Sequence, residues 1–281
     1  PDLGKLPLAF EENRGQAPGR FDFVARASGG SLALSAQEVL FVPAVGTDDG
    51  SQVPAITMCF EGSDPRARVV ALEPLPGTVT RLIGRDPSGW IRNTPTHARV
   101  RYGNVWPGID IVHSGEGLSW RYDFVLAPGA DPRAIRLAIG GSDLIAVGTD
   151  GALVLETCAG PLRQKRPTIY QESGEGVVEL EGGFEILGER TVGFAVRGFD
   201  ATRPLVIDPS VTFEALFAGG SAIPRAVQPD GSSGCWVLGE ADHFFPFSGF
   251  EFGPRGSTDL FLLHFDWMGD VVSTLLIGGS G

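Results

Sequence analysis

The sequence predicts an all-β protein in two parts: a β-sandwich-like N-terminal domain over residues 1–209, then one four-stranded β-propeller blade over residues 210–281. Three observations predict it. Forty Gly and 21 Pro among 281 residues punctuate apolar runs of period two, and no sustained 3.6-residue pattern appears. Residues 90–132 hold three of the five Trp and two of the three Tyr, cut into strand-length pieces by Pro-Gly turns. Residues 213–221 recur as 272–280 when their Gly-Gly-Ser endings are aligned, an offset of 59 between Gly220 and Gly279. A blade with a long loop has a period of that order, somewhat above the ~40–50 residues of familiar propeller repeats.

Taken along the chain, residues 6–10 form a short apolar strand that runs into the polar turn Glu11-Glu12-Asn13-Arg14-Gly15-Gln16. Residues 21–26 and 31–35 flank Ser28-Gly29-Gly30, a hairpin with glycine where φ is positive. Strands at 39–42 and 55–60 are separated by a loop, and 69–83 divides into apolar groups broken by Pro74, Pro76 and Gly77. In the aromatic stretch, Leu118, Trp120, Tyr122, Phe124 and Leu126 alternate with Ser119, Arg121, Asp123 and Val125, so one face is buried and the other wet. Trp106-Pro107-Gly108 presets a turn before the strand 109–112, and Ala127-Pro128-Gly129 closes the next one.

Beyond it, Thr149-Asp150-Gly151 between the apolar runs 144–147 and 152–155 is the clearest hairpin signal. Strands at 166–171, 177–180, 184–187 and 192–196 continue the meander, and Leu205-Val206-Ile207-Asp208-Pro209 closes the domain. The blade then draws strands from 225–227, 235–239, 259–266 and 271–277. Propellers close with about four to eight such sheets, so the remaining blades are expected outside this segment.

Composition excludes several function classes. A net charge of −12 and a pI near 4.8 argue against a phosphate-binding surface, so no nucleic-acid partner is expected. The one dense basic run, Arg163-Gln164-Lys165-Arg166, reads as a solvated strand end. Cys59, Cys158 and Cys235 are too few and too scattered for a disulfide scaffold or a metal site, and read as small core residues. No apolar run is long enough to span a bilayer.

Catalytic motifs are missing as well. Neither Gly-x-Ser-x-Gly nor His-Glu-x-x-His nor a phosphate-binding loop occurs, and Asp150-Gly151 and Asp230-Gly231 read as turns rather than calcium loops. Asp110 and His113 point to opposite faces of an extended strand, which dismisses them as a general-base pair. His264 and Asp266 share a face but are too few for a metal. Glu116 and Asp123 have the residue types of a glycosidase pair, with Trp120 and Tyr122 as a sugar platform, but the alternation assigns both aromatics to the core. No catalytic residue and no cofactor is therefore expected. The Phe-rich loop, with Phe244, Phe245, Phe247, Phe250 and Phe252, is the candidate partner-contact surface.

The segments Asp230-Gly231, Val237-Leu238-Gly239, Asp259-Leu260-Phe261-Leu262-Leu263 and the closing Gly278-Gly279-Ser280-Gly281 resemble the bacterial SBBP repeat, a β-propeller repeat of secreted and cell-surface proteins. Upstream, Phe10-Glu11-Glu12-Asn13-Arg14-Gly15-Gln16, Ile83-Gly84-Arg85-Asp86-Pro87, Trp106-Pro107-Gly108-Ile109-Asp110-Ile111-Val112, Tyr122-Asp123-Phe124-Val125 and Leu205-Val206-Ile207-Asp208-Pro209 resemble the uncharacterised β-rich domain that precedes such repeats. The resemblance implies a bacterial envelope or extracellular setting and a non-catalytic scaffold or adhesion role, with an unknown surface protein or glycan and further blades of the same chain as partners. The alternatives are an accessory module of a secreted polysaccharide- or protein-degrading enzyme, or a hydrolase using Asp110, Glu116 or Asp123.

Overall fold

The computed structural model describes residues 7–27, 30–43, 54–82, 85–116, 119–157, 160–173, 176–209, 222–229, 235–241, 259–265 and 271–277. Among them every regular element is a strand or a short 3-10 turn. The strands β1 (Phe10–Glu12), β2 (Phe23–Ala27), β3 (Gly30–Leu34), β4 (Glu38–Pro43) and β5 (Ile56–Phe60) precede the long pair β6 (Arg68–Arg81) and β7 (Ile91–Trp106). Next come β8 (Ile109–Glu116), β9 (Ser119–Leu126), β10 (Leu137–Gly140), β11 (Leu144–Val147), β12 (Leu153–Thr157) and β13 (Gly160–Gln164). After β14 (Thr168–Ser173), β15 (Gly176–Glu179), β16 (Gly182–Ile186), β17 (Thr191–Val196) and β18 (Leu205–Asp208) the chain reaches β19 (Ala222–Pro229), β20 (Cys235–Ala241), β21 (Asp259–Phe265) and β22 (Val271–Ile277). The described residues through Pro209 cluster in one compact unit and those from Ala222 in another.

In the first unit fifteen strands share one antiparallel sheet, in the order β15-β14-β18-β9-β8-β7-β1-β2-β3-β4-β5-β10-β17-β16, with β6 paired to β7 off this path. A sheet that long cannot stay flat, because each strand pair adds right-handed twist. It folds over until its halves face one another: Phe124 of β9 meets Phe194 of β17 at 5.4 Å between ring centres, and Trp106 of β7 meets Phe60 of β5 at 5.8 Å. The two ends of the path also meet. Arg166 Nε, just before β14, donates to Gly182 O of β16 at 3.0 Å, and Gly182 sits against Ile169 of β14, where an added Cβ would lie 2.4 Å from the backbone Ala195 O, which only glycine allows.

The turn chemistry works as the sequence requires. Trp106 pairs with Ile109 across Pro107-Gly108, with φ preset by proline and Gly108 at φ +73°. Asp131 caps the 3-10 turn Pro132–Ala134 after β9 by accepting from Arg133 N–H. At the N-terminal turn, Asn13 Nδ2 donates to the carbonyls of Ala17, Pro18 and Phe21, and Oδ1 accepts from the Gly15 and Ala17 amides. One side chain thus supplies the backbone partners that a non-repetitive loop otherwise lacks.

Residues 69–83 are not a series of short pieces. Pro74, Pro76 and Gly77 sit inside the single strand β6, whose pairing with β7 slips between Pro74 and Thr78. Among the described residues its ladder partner is β7 alone, and a strand with one free edge tolerates prolines whose missing N–H would have pointed outward. The buried Glu11 carboxylate takes Arg81 through Nη2 at 2.8 Å and Nε at 3.3 Å, tying that strand to β1.

The hairpin at Thr149-Asp150-Gly151 is present, but it belongs to a separate three-stranded sheet, β11-β12-β13. Leu153, Leu155 and Leu162 of this small sheet close over an apolar cavity of about 50 Å³ lined by Val39, Phe41, Ile56, Met58 and Ile139 of the large one. The basic run is a strand end in contact with solvent, as expected, with two exposed partners: Arg163 pairs with Asp150 at 2.7 Å, and Arg166 Nε donates to Gly182 O at 3.0 Å.

The second unit is a four-stranded antiparallel meander, β19-β20-β21-β22. Phe261 and Leu263 are buried on one face. On the other, the register aligns Leu238, Leu262 and Leu275 in one row and Trp236 with His264 in the next.

Candidate functional site

Strand β9 lies at the centre of the first unit's chemistry because its two faces carry different residue types. Inward, Trp120, Tyr122, Phe124 and Leu126 are buried, as period-two alternation demands. Around them the neighbouring β8 contributes His113, fully buried, stacked on Trp120 at 5.8 Å and edge-on to Tyr102 at the same centroid distance. Trp120 Nε1 donates to His113 Nδ1 at 3.3 Å, which leaves the neutral ring's proton on Nε2, an atom without a protein partner. Burial pushes the imidazole pKa down to about 3, so the ring is neutral in the folded state.

Tyr122 leads to the cavity. Its hydroxyl and the Gln164 amide are hydrogen bonded, with Gln164 Nε2 2.8 Å away, and Gln164 Nε2 also reaches Pro209 O at 3.3 Å. About 50 Å³ is far below the roughly 300 Å³ at which small-molecule pockets begin. The space is therefore a packing defect beneath the small sheet.

Outward, β9 presents Arg121, Asp123 and Val125. The register that pairs Ile207 with Phe124 sets Asp208 of β18 beside Asp123, and Val112 of β8 and Thr168 of β14 flank the two. Like charges directly opposite one another on adjacent strands are destabilising. Here Oδ1 of each carboxyl is shut off from solvent, with no hydrogen-bond donor facing it among the described residues. Burial, and then the Asp208 carboxylate, push the Asp123 pKa up to about 7, while Arg121 and Arg99 pull the other way. Burial also raises the Tyr170 hydroxyl, with Asp123 and Asp208 adding to the effect.

A family described only as a domain of unknown function, DUF7948, matches residues 10–210. The chain belongs to that family. No match was found among curated proteins or solved structures. The matched span takes in every strand of the first unit, and with them both faces of β9.

Within the DUF7948 domain, most residues singled out from the sequence are held by the scaffold. Asp110 and His113 lie on opposite faces of β8: Asp110 pairs with Arg101 and accepts from the Asn104 amide at 2.7 Å, while His113 is in the core. Glu116, at the end of β8 opposite Ser119, is exposed and is not brought to Asp123, whose neighbour is Asp208 instead. Trp120 and Tyr122 form core rather than a sugar platform. Asp150 caps its own turn by accepting from the Ala152 amide at 3.2 Å. Cys59 is a free, half-buried thiol whose pKa burial raises.

Phe244, Phe245, Phe247, Phe250 and Phe252 lie outside the described residues, as do Cys158, Asp230, Gly231, His243 and Asp266. Among the described residues no group of three or more His, Cys, Asp or Glu is placed to hold a metal ion, and no helix is long and apolar enough to cross a membrane.

The Asp123–Asp208 pair is what residue-by-residue reading missed. Both aspartates stand in the segments that carry the family resemblance, and both follow a core residue on a strand. The available signal was that outward position on two strands of like pattern. Their adjacency depends on β18 pairing with β9, a contact between distant parts of the chain.

Proposed function

We propose that the protein is a non-catalytic scaffold or adhesion-type binding protein of the bacterial surface or exterior, with a DUF7948 domain followed by an SBBP-type propeller blade. One observation carries the reading: the second unit's meander has an open apolar face, with Leu238 38%, Leu260 42% and Leu275 51% exposed. Trp236 and His264, stacked at 4.2 Å, extend the same face. Exposed leucines aligned across three strands cost free energy in water unless another layer covers them. A further four-stranded sheet of the same kind fits, since propeller blades bury one another's faces, and the Gly-Gly-Ser repeat supplies the sequence signature of such units. Binding then takes place on loops and blade surfaces, with a surface protein or glycan as partner.

The test is to extend the full chain with a second copy of residues 210–281 and measure hydrophobic-dye binding and the thermal midpoint. Burial of the face predicts less dye bound per chain and a higher midpoint, and Leu260→Lys with Leu275→Lys in both copies reverses both changes. Dye binding that doubles with the added copy overturns the blade reading. Turnover of any substrate in a broad glycan, ester and peptide panel overturns the non-catalytic one.

A further inference from the structure

The carboxyl pair lies at a structurally sensitive place. In the large sheet, β14 and its hairpin partner β15 are joined to the remaining strands through β18, which sits between β14 and β9. β18 is only four residues long, and three register pairs hold it to β9. At the end of that short seam Asp208 stands beside Asp123, and the two buried Oδ1 atoms are both acceptors when ionised. A single proton between them turns two unsatisfied acceptors into one hydrogen bond and removes the repulsion.

The surroundings decide the charge state. On β9 itself the neighbouring ionisable group is Arg121, and β7 contributes Arg99. β14 contributes the Tyr170 hydroxyl, with Glu172 close to it. From β8, Asp110 occupies the same face but is neutralised by Arg101. Arg121 and Arg99 oppose the shift without cancelling it, since burial and Asp208 outweigh them.

We propose that Asp123 and Asp208 form a proton-held clasp: one shared proton fastens β18 to β9, and its loss loosens β18 together with the β14–β15 hairpin. The device is independent of the scaffold reading. Its sign follows from linkage. A carboxyl whose folded pKa lies above the unfolded value of 3.8 binds more protons when the clasp is shut, so protection falls as pH rises from about 4 to about 7 and is constant above.

The experiment is amide hydrogen exchange on the full chain between pH 5 and 8, corrected for the intrinsic exchange rate. Protection of the β18 and β14 amides is expected to fall about tenfold per pH unit up to neutrality and then level off. Protection in β2 and β3 stays constant. Opening of β18 leaves His113 buried in the core, so its titration does not enter. In Asp123→Asn the side-chain amide donates permanently to Asp208, and protection of β18 becomes independent of pH. An unchanged pH dependence in that variant, or constant protection in the parent, overturns the clasp. Should the variant not fold, carbon-13 titration of side-chain carboxyls in the parent decides: one carboxyl titrating near neutrality upholds the clasp, and all titrating below pH 5 overturns it.

Discussion

The two faces of β9 handle buried polarity in opposite ways. Inside, His113 is enclosed by Tyr102, Trp120 and Tyr122 and gives up its proton; outside, Asp123 is half enclosed beside a second carboxyl and keeps one. In both cases the group abandons the charged form, because desolvation penalises charge whatever its sign. The consequences for pH differ. The buried imidazole lowers stability as pH falls below 6.5, since the unfolded chain takes up a proton that the folded chain refuses. The carboxyl pair lowers stability as pH rises toward 7. Between about pH 4 and 6.5 the two slopes oppose each other, so removing either group exposes the other.

The largest effect expected on this comparison comes from the packing of the inner face. Phe124→Ala opens a hole between Trp106, Tyr122 and Phe194 and costs about 3–5 kcal/mol in urea unfolding. A cost below about 1 kcal/mol would mean that the facing halves of the sheet are not packed together. Next, His113→Phe removes the acid-side titration: the parent is nearly flat between about pH 4 and 6.5, where the two slopes cancel, and the variant gains roughly 1.4 kcal/mol per pH unit as pH falls through that range. An identical acid slope in both chains would place the imidazole in water.

On the outer face the effects are smaller. Asp208→Asn relieves the like-charge contact and raises stability by about 1 kcal/mol at pH 8, with no gain at pH 3.5, where Asp123 is protonated and the like-charge contact is absent. Equal gains at both pH values would point to packing instead of charge. Smallest of all, Val125→Thr, on the outward face one residue past Phe124, stays within about 0.5 kcal/mol of the parent. A loss comparable to that of Phe124→Ala would show the outer face covered.

Much of this arrangement was legible in local pattern. The alternation from Trp120 to Leu126 gave the inward face of β9 residue by residue, and Pro107-Gly108 and Asp150-Gly151 gave their turns, because side-chain direction and turn type depend on a few adjacent dihedrals. The same period separated Asp110 from His113. Residues 69–83 were misleading because prolines end a central strand but not one with a free edge, and edge position is a property of the assembled sheet. The bond between Gln164 and Tyr122 was equally hidden, since it requires the small sheet to lie on the large one.

By itself, then, the sequence determined the all-β class, the inward and outward identity of most strand residues, and the positions of the tight turns. All of these rest on interactions between residues close in the chain. Only the tertiary structure decided that β18 lies between β14 and β9, that Asp123 has Asp208 rather than Glu116 for a neighbour, and that leucines line an open face of the second sheet. Strand order and register are set by burying the whole apolar surface at once, and that optimum is not written in any short window.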